Sequence, residues 1–219
     1  MNLEIYKRIL SSIILIPVGF FFILKGSIIF NFFLLACFLL SVFEWYSMSK
    51  KKNYHIFGYI FLIFSFYSIF YLRNNFSENS LFVFLFIITI CISTDIGGYI
   101  SGKVFKGPRL TKISPNKTYS GVFGSFIFSI FFINILINYS YLFKYKNLSF
   151  GSNELIFVLI ISAVSQIGDV IISYFKRLSK IKDTGNLIPG HGGILDRIDG
   201  MLFAFPLSLS YLLINNFFE

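Results

Sequence analysis

Between Lys176 and Asp199 the chain reads KRLSKIKDTGNLIPGHGGILDRID. This stretch gathers Lys176, Arg177, Lys180, Lys182 and Arg197 with Asp183, Asp196, Asp199, His191 and four glycines. Cations at such density suit the oxygens of phosphate esters. Successive N–H groups in the Pro189-Gly190-His191-Gly192-Gly193 turn can form a nest for the same oxygens. Carboxylates among them suit a hard divalent cation. Oxygen ligands without a usable Cys/His set favour Mg2+ over zinc. Upstream, Asp169 has Ser165 and Ser173 four residues to either side and Lys176 seven residues on, all on one helical face. These are the parts of an enzyme site that pairs acidic metal ligands with basic residues for polyanionic phosphate substrates.

The elements that must position them are written in oil. The chain of 219 residues is 56% hydrophobic and 13% charged, with a mean hydropathy of +0.76. Soluble domains carry roughly 25% charged residues, so lipid must be the solvent here. Seven apolar runs follow one another: Ile9–Leu24, Ile28–Phe43, Ile56–Leu72, Leu81–Ile100, Gly121–Asn138, Leu155–Phe175 and Met201–Phe218. A spanning helix needs about 20 residues. The pattern predicts an all-α, polytopic integral membrane protein of about seven transmembrane helices with short interfacial loops. It forms one membrane domain over 1–219, with N-terminal helices in 1–80 and a catalytic helical core in 81–219. The first two runs are short and Pro17 interrupts the first, which reads as a tilted hairpin. Lys7 and Arg8 precede an apolar stretch with no small-residue cleavage site, so an uncleaved first span is expected.

Charge sets the orientation. With the N-terminus inside, the cytoplasmic segments hold 15 of the 19 Lys and Arg, leaving Lys25, Arg73, Lys144 and Lys146 outside. The net charge of +9 therefore reads as topology plus attraction to anionic headgroups, with no nucleic acid as partner. Topology does not explain why the cations cluster at Lys103–Lys117 and Lys176–Arg197.

Asp95 and Asp169 each stand 14 residues into an apolar run, about 21 Å along a helix. An aspartate near the middle of a span costs about 2.5–3.5 kcal/mol to insert. Two at matched depth predict one shared polar cavity; pairing to a lysine on a neighbouring helix is the ordinary alternative. Asp196 and Asp199, at i and i+3, would each be at home at a helix start. Beside Asp169, the basic cluster and the glycine turn, they suggest a divalent-metal site. Cys37 and Cys91 lie in apolar runs without metal-ligand spacing and read as buried structural thiols. Gly97 to Lys103 spells G-x-x-x-x-G-K, but Val104 follows instead of Ser or Thr, and the context is a membrane helix. It is not a P-loop.

The segment from Ser173 to Asp199 resembles the signature of the CDP-diacylglycerol synthases (phosphatidate cytidylyltransferases), S-x-x-K-R-x4-K-D-x-G-x3-P-G-H-G-G-x2-D-R-x-D. Ser173, Lys176, Arg177, Lys182, Asp183, Gly185, Pro189, Gly190, His191, Gly192, Gly193, Asp196, Arg197 and Asp199 all match it. STDIGGYISGKVFKG is similar to the family's segment with an Asp, a Tyr and a Gly-Lys. KISPNKTYSG is similar to its SPKKTxEG loop through Ser114, Pro115, Lys117, Thr118 and Gly121. Ser120 stands where the family usually has Glu, and the N-terminal part looks shorter than in the usual bacterial member.

The resemblance implies a multi-pass homodimer in the cytoplasmic (inner) membrane, its active site facing the cytoplasm. It implies CTP and phosphatidate as substrates, and CDP-diacylglycerol and pyrophosphate as products. Mg2+ is expected as cofactor, with room for a second metal ion. Asp169 and Asp196 are the first-choice ligands, Asp95 and Asp199 the second. Lys176, Arg177, Lys182 and Arg197 would hold phosphates. Ser114, Lys117, Ser173, Asp183 and the His191-Gly192-Gly193 backbone would complete the substrate site. His191 is expected either to donate a proton to pyrophosphate or to stabilise the turn. A CTP-dependent lipid kinase uses similar parts and would differ in transferring the γ-phosphoryl group. A CDP-alcohol phosphotransferase would need a run of spaced Asp and Gly within one helix, which is missing. A transporter would show paired broken helices, and no internal repeat is visible.

Overall fold

The computed structural model describes residues 3–50, 52–76, 79–111, 113–143, 150–190 and 192–215. Among these the chain forms seven α-helices: α1 (Leu3–Lys25), α2 (Ser27–Ser49), α3 (His55–Asn74), α4 (Ser80–Phe105), α5 (Tyr119–Asn138), α6 (Ser152–Leu178) and α7 (Leu195–Asn215). A 3-10 turn at Ser140–Phe143 follows α5. No strand occurs among the described residues, only two isolated bridges, Arg109 with Thr118 and Ile188 with Gly192. The chain is an all-α polytopic membrane protein. Six helices, α2 to α7, are long and apolar enough to cross a bilayer, while the apolar part of α1, Ile13–Lys25, is shorter. Pro17 sits inside α1 without ending it.

Only Gly26 separates α1 from α2. Arg73 at the end of α3 secures this corner: its Nε and Nη2 donate to the Ile23 carbonyl at 3.1 and 2.8 Å. Its guanidinium lies over the Phe30 ring, 5.7 Å from the centroid. A cation on that side of the membrane thus has structural work, satisfying a carbonyl at a helix end.

Lipid and protein divide the helices. In α4, 61% of the apolar window is buried, against 22% in α2. So α4 is the central post, while α2 shows much of its surface to lipid. Phe82, Phe86, Ile87 and Ile90 of α4 pack with Ile133 of α5, Phe157 and Ile161 of α6, and Phe205 of α7. A second cluster joins Trp45 and Met48 of α2 and Leu62 and Phe66 of α3 to Leu195 and Leu202 of α7.

The glycines of the rejected P-loop pattern have a packing role. A methyl group on Gly97 would lie 2.6 Å from both the Gly124 carbonyl oxygen and Phe128 Cβ. Only small residues let α4 and α5 approach this closely. Hydroxyls stitch the same contact: Ser125 donates to the Thr94 carbonyl at 2.7 Å, and Thr94 donates to Ser162 Oγ of α6 at 2.8 Å.

Candidate active site

Above that hydroxyl seam a cleft of about 380 Å3 opens between α4, α5, α6 and the start of α7. Among the described residues its acidic and basic lining is Asp95, Asp169, Asp196, Asp199, Lys117 and Arg197. Four carboxylates thus face two cations. Asp95 is open to the cleft. Ser114 and Lys117 reach it from the loop between α4 and α5. That loop is closed by Leu110 N–H donating to the Lys117 carbonyl at 2.8 Å and Tyr119 N–H to the Pro108 carbonyl at 3.2 Å. Thr118 caps α5, its hydroxyl oxygen accepting from Gly121 N–H at 3.1 Å. Ser120 donates to the Lys106 carbonyl, so the residue replacing the family's glutamate ties down this loop.

Lys117 Nζ donates to Asp169 Oδ2 at 3.0 Å and to the Gln166 carbonyl at 3.1 Å. The other carboxylate oxygen, Asp169 Oδ1, is buried with no hydrogen-bond partner among the described residues, and so is Ser165 Oγ. Both face Gly200, where a methyl group would lie 2.8 and 2.5 Å from them. The Asp199 carboxyl lines the same cleft as Asp169. Adjacent carboxylates repel unless a cation or proton stands between them.

The signature loop is tied differently. Lys176 is buried and its Nζ donates to Asp196 Oδ1 at 2.7 Å. Asp196 Oδ2 accepts from Thr184 N–H at 2.7 Å, the Thr184 hydroxyl at 3.0 Å and Gly193 N–H at 3.0 Å. Gly192 has φ +85°, and a methyl group there would lie 2.6 Å from Asp196 Oδ2, so both backbone and space demand glycine. The nest expected for phosphate spends at least the Gly193 N–H on the chain's own Asp196.

A model of the cytidylyltransferase family matches residues 53–215. The chain belongs to that family. It is 35% identical over 208 residues to a phosphatidate cytidylyltransferase of Rickettsia bellii, covering 93% of this chain and 89% of that one. A phosphatidate cytidylyltransferase of Brucella suis is 34% identical over 208 residues, covering 92% and 72%. One from Haemophilus influenzae is 38% identical over 133 residues, covering 58% and 44%.

In this cytidylyltransferase the residues singled out from sequence divide into two sets. Asp95, Ser114, Lys117, Asp169, Asp196, Arg197 and Asp199 line the cleft, and Lys176 reaches it through Asp196. Ser173, Arg177, Lys182, Asp183, Gly192 and Gly193 are not among its lining residues. Arg177 is exposed, and its Nη1 donates to the Ile181 carbonyl at 3.1 Å. Lys182 and Asp183 are exposed on the loop. His191 lies outside the described residues. Sequence reading passed over Gln166 and Asn116 in the lining, Thr184 and Gly200 beside it, and Glu44. The signal for Glu44 was a lone carboxylate at the edge of an apolar run, next to the chain's single Trp.

Proposed function

We infer that this chain transfers the cytidylyl group of CTP to phosphatidate, forming CDP-diacylglycerol and releasing pyrophosphate, within the cleft around Asp169. A phosphate oxygen of phosphatidate attacks the α-phosphorus of CTP. The bond from that phosphorus to the bridging oxygen breaks, and its electron pair leaves on pyrophosphate. The nucleophile is already largely dianionic near neutral pH, since its second pKa is near 6, so no general base is needed. The obstacle is charge.

The observation that carries the reading is the imbalance, among the described residues, of four lining carboxylates against two lining cations, Lys117 and Arg197. Such a lining repels a polyphosphate unless further positive charge enters. Mg2+ fits these residues. Asp169 Oδ1 is buried and unpartnered among the described residues, and Asp199 and Asp95 line the same cleft. Among the described residues no three carboxylate, imidazole or thiol groups converge on one point. That suits Mg2+, which commonly takes one or two carboxylates and fills its shell with water and phosphate. Asp169 and Asp199 are the leading ligands, with Asp95 for a second ion. Asp196, first choice with Asp169 from sequence, already accepts four hydrogen bonds. The bound ion would neutralise phosphate charge and polarise the reacting bond. Lys117 and Arg197 bind phosphate oxygens, and Ser114 orients them.

The lipid reaches the cleft along its flank. An apolar groove of about 320 Å3 shares Val122 and Gln166 with the cleft and is lined further by Phe126, Ala163, Ile167 and Val170. Acyl chains lie there with the phosphate in the cleft. The basic excess on one set of loops supports an active site facing the cytoplasm across the inner membrane. The family resemblance supports a homodimer.

Turnover of the purified protein with phosphatidate, Mg2+ and CTP labelled at the α or γ phosphorus tests the reaction. Label from the α position should enter lipid as pyrophosphate is released, and chelation should stop both. Lipid labelled from the γ position instead would make the chain a lipid kinase. Cysteines placed at Lys106 and Lys180 should react with an impermeant thiol reagent only from the cytoplasmic side. Chemical cross-linking in native membranes should trap a dimer.

A further inference from the structure

Glu44 stands on α2, remote in sequence from the signature loop, yet it holds that loop at both ends. It is only 2% exposed. Its Oε1 accepts from Ile194 N–H at 2.8 Å. Its Oε2 accepts from Leu195 N–H at 2.8 Å and from the Thr184 hydroxyl at 2.8 Å. No cation pairs with it among the described residues. The charge is instead met by the N-terminus of α7, whose first N–H groups have no partner within their own helix. Glu44 thus caps α7 from a different helix.

The shape of the loop is fitted to this carboxylate. A methyl group on Gly193 would strike Glu44 Oε2, and one on Gly185 would lie 3.2 Å from Oε1. The Thr184 hydroxyl faces two anions, Glu44 at 2.8 Å and Asp196 at 3.0 Å, with one proton to share. Asp196 in turn holds Lys176. A continuous chain of contacts runs from α2 through Thr184 and Asp196 to α6. The first turn of α7, which Glu44 caps, carries Asp196 and Arg197 into the cleft.

We propose that Glu44 is a positioning residue for cytidylyl transfer: held outside the cleft, it fixes the start of α7 and, through Thr184, the orientation of Asp196. The inference rests on the cleft being the place of reaction. A glutamine in its place keeps the volume but puts an NH2 group against an N–H or O–H donor, so the loop end must shift. Displacement of reacting groups by about 1 Å can cost on the order of 100-fold in rate.

The test compares Glu44→Gln, Thr184→Val, Thr184→Ser, the Glu44→Gln/Thr184→Val double variant and Asp169→Asn. Each is purified in detergent and measured for melting temperature, kcat, and KM for CTP and phosphatidate. Glu44→Gln should lower kcat about 100-fold in protein that melts cooperatively, with both KM values changed much less. Thr184→Ser should keep turnover and Thr184→Val should lose it. The double variant should be no worse than the more impaired of the two single variants, because both break the same chain of contacts. A merely structural Glu44 would lower melting temperature and yield while leaving kcat per folded molecule at the parental value; that result overturns the proposal, as would fully multiplicative losses. If Glu44→Gln does not fold, Thr184→Val against Thr184→Ser decides: equal turnover in the two overturns it. An inactive Asp169→Asn beside parental kcat in Glu44→Gln removes this inference alone. An active Asp169→Asn removes the cleft reading and this inference with it.

Discussion

Two ion pairs flank the cleft, and they differ in how much water they keep. In Lys117–Asp169 the side chains are 26% and 18% exposed, and one Asp169 oxygen has no partner. In Lys176–Asp196 they are 10% and 4% exposed, and both Asp196 oxygens are engaged. The first pair can exchange its contacts for a ligand at modest cost. The second cannot open without stranding a buried charge. One side of the cleft is built to trade partners, and the other is built to stay put.

The largest effect should come from the trading side. Asp169→Asn keeps the side-chain size and removes a ligand charge, and should cost at least about 1000-fold in Mg2+-dependent turnover. Its melting temperature should stay near that of the parent. Near-parental turnover would show that the unpartnered oxygen has no ligand to meet.

Removing the two lysines then separates the sides. Lys176→Met should destabilise the fold by about 3–5 kcal/mol, because it leaves Asp196 buried without its cation. Lys117→Met should change stability by no more than about 1 kcal/mol while lowering turnover on the order of 100-fold. Thermal unfolding and kinetics on the two variants check this, and equal stability losses would erase the distinction.

A smaller effect is expected beside the cleft. Ile167→Trp in the apolar groove should raise KM for phosphatidate several-fold and leave KM for CTP unchanged, since one hydrophobic contact is worth about 1–3 kcal/mol. An equal rise for both substrates would place the lipid elsewhere. The smallest effect belongs to Arg177→Lys. The guanidinium is exposed and, among the described residues, donates to the Ile181 carbonyl alone, so turnover should change less than twofold, within the roughly 0.5 kcal/mol of an ordinary surface substitution.

Arg177 also marks where sequence reading reaches its limit. Lys176 and Arg177 look like one basic pair, but neighbours on an α-helix point about 100° apart. Here that rotation buries one and exposes the other. The seven runs, the membrane class and the segments forming the cleft were legible, because apolar periodicity and matched spacing are local signals. The common cleft of Asp95 and Asp169 followed from counting residues along two spans. Glu44 was not legible: its role depends on α2 crossing α7, and nothing near it in sequence announces that contact. The hydrogen bond from Gly193 N–H to Asp196 was not legible for the same reason, since a nest can be filled by the chain itself as readily as by phosphate.

The hydroxyl seam joining Ser125, Thr94 and Ser162 has a consequence for the membrane as a barrier. It engages the hydroxyls of Ser125 and Thr94 at the bottom of the cleft. Beneath it Ile87, Ile90, Ile133 and Ile161 are wholly buried. Charge and water can stand above this layer, but these four side chains offer them no polar group. A catalyst with four acids sunk into a bilayer could short-circuit the ion gradients of its own cell; an apolar floor of isoleucine opposes that leak.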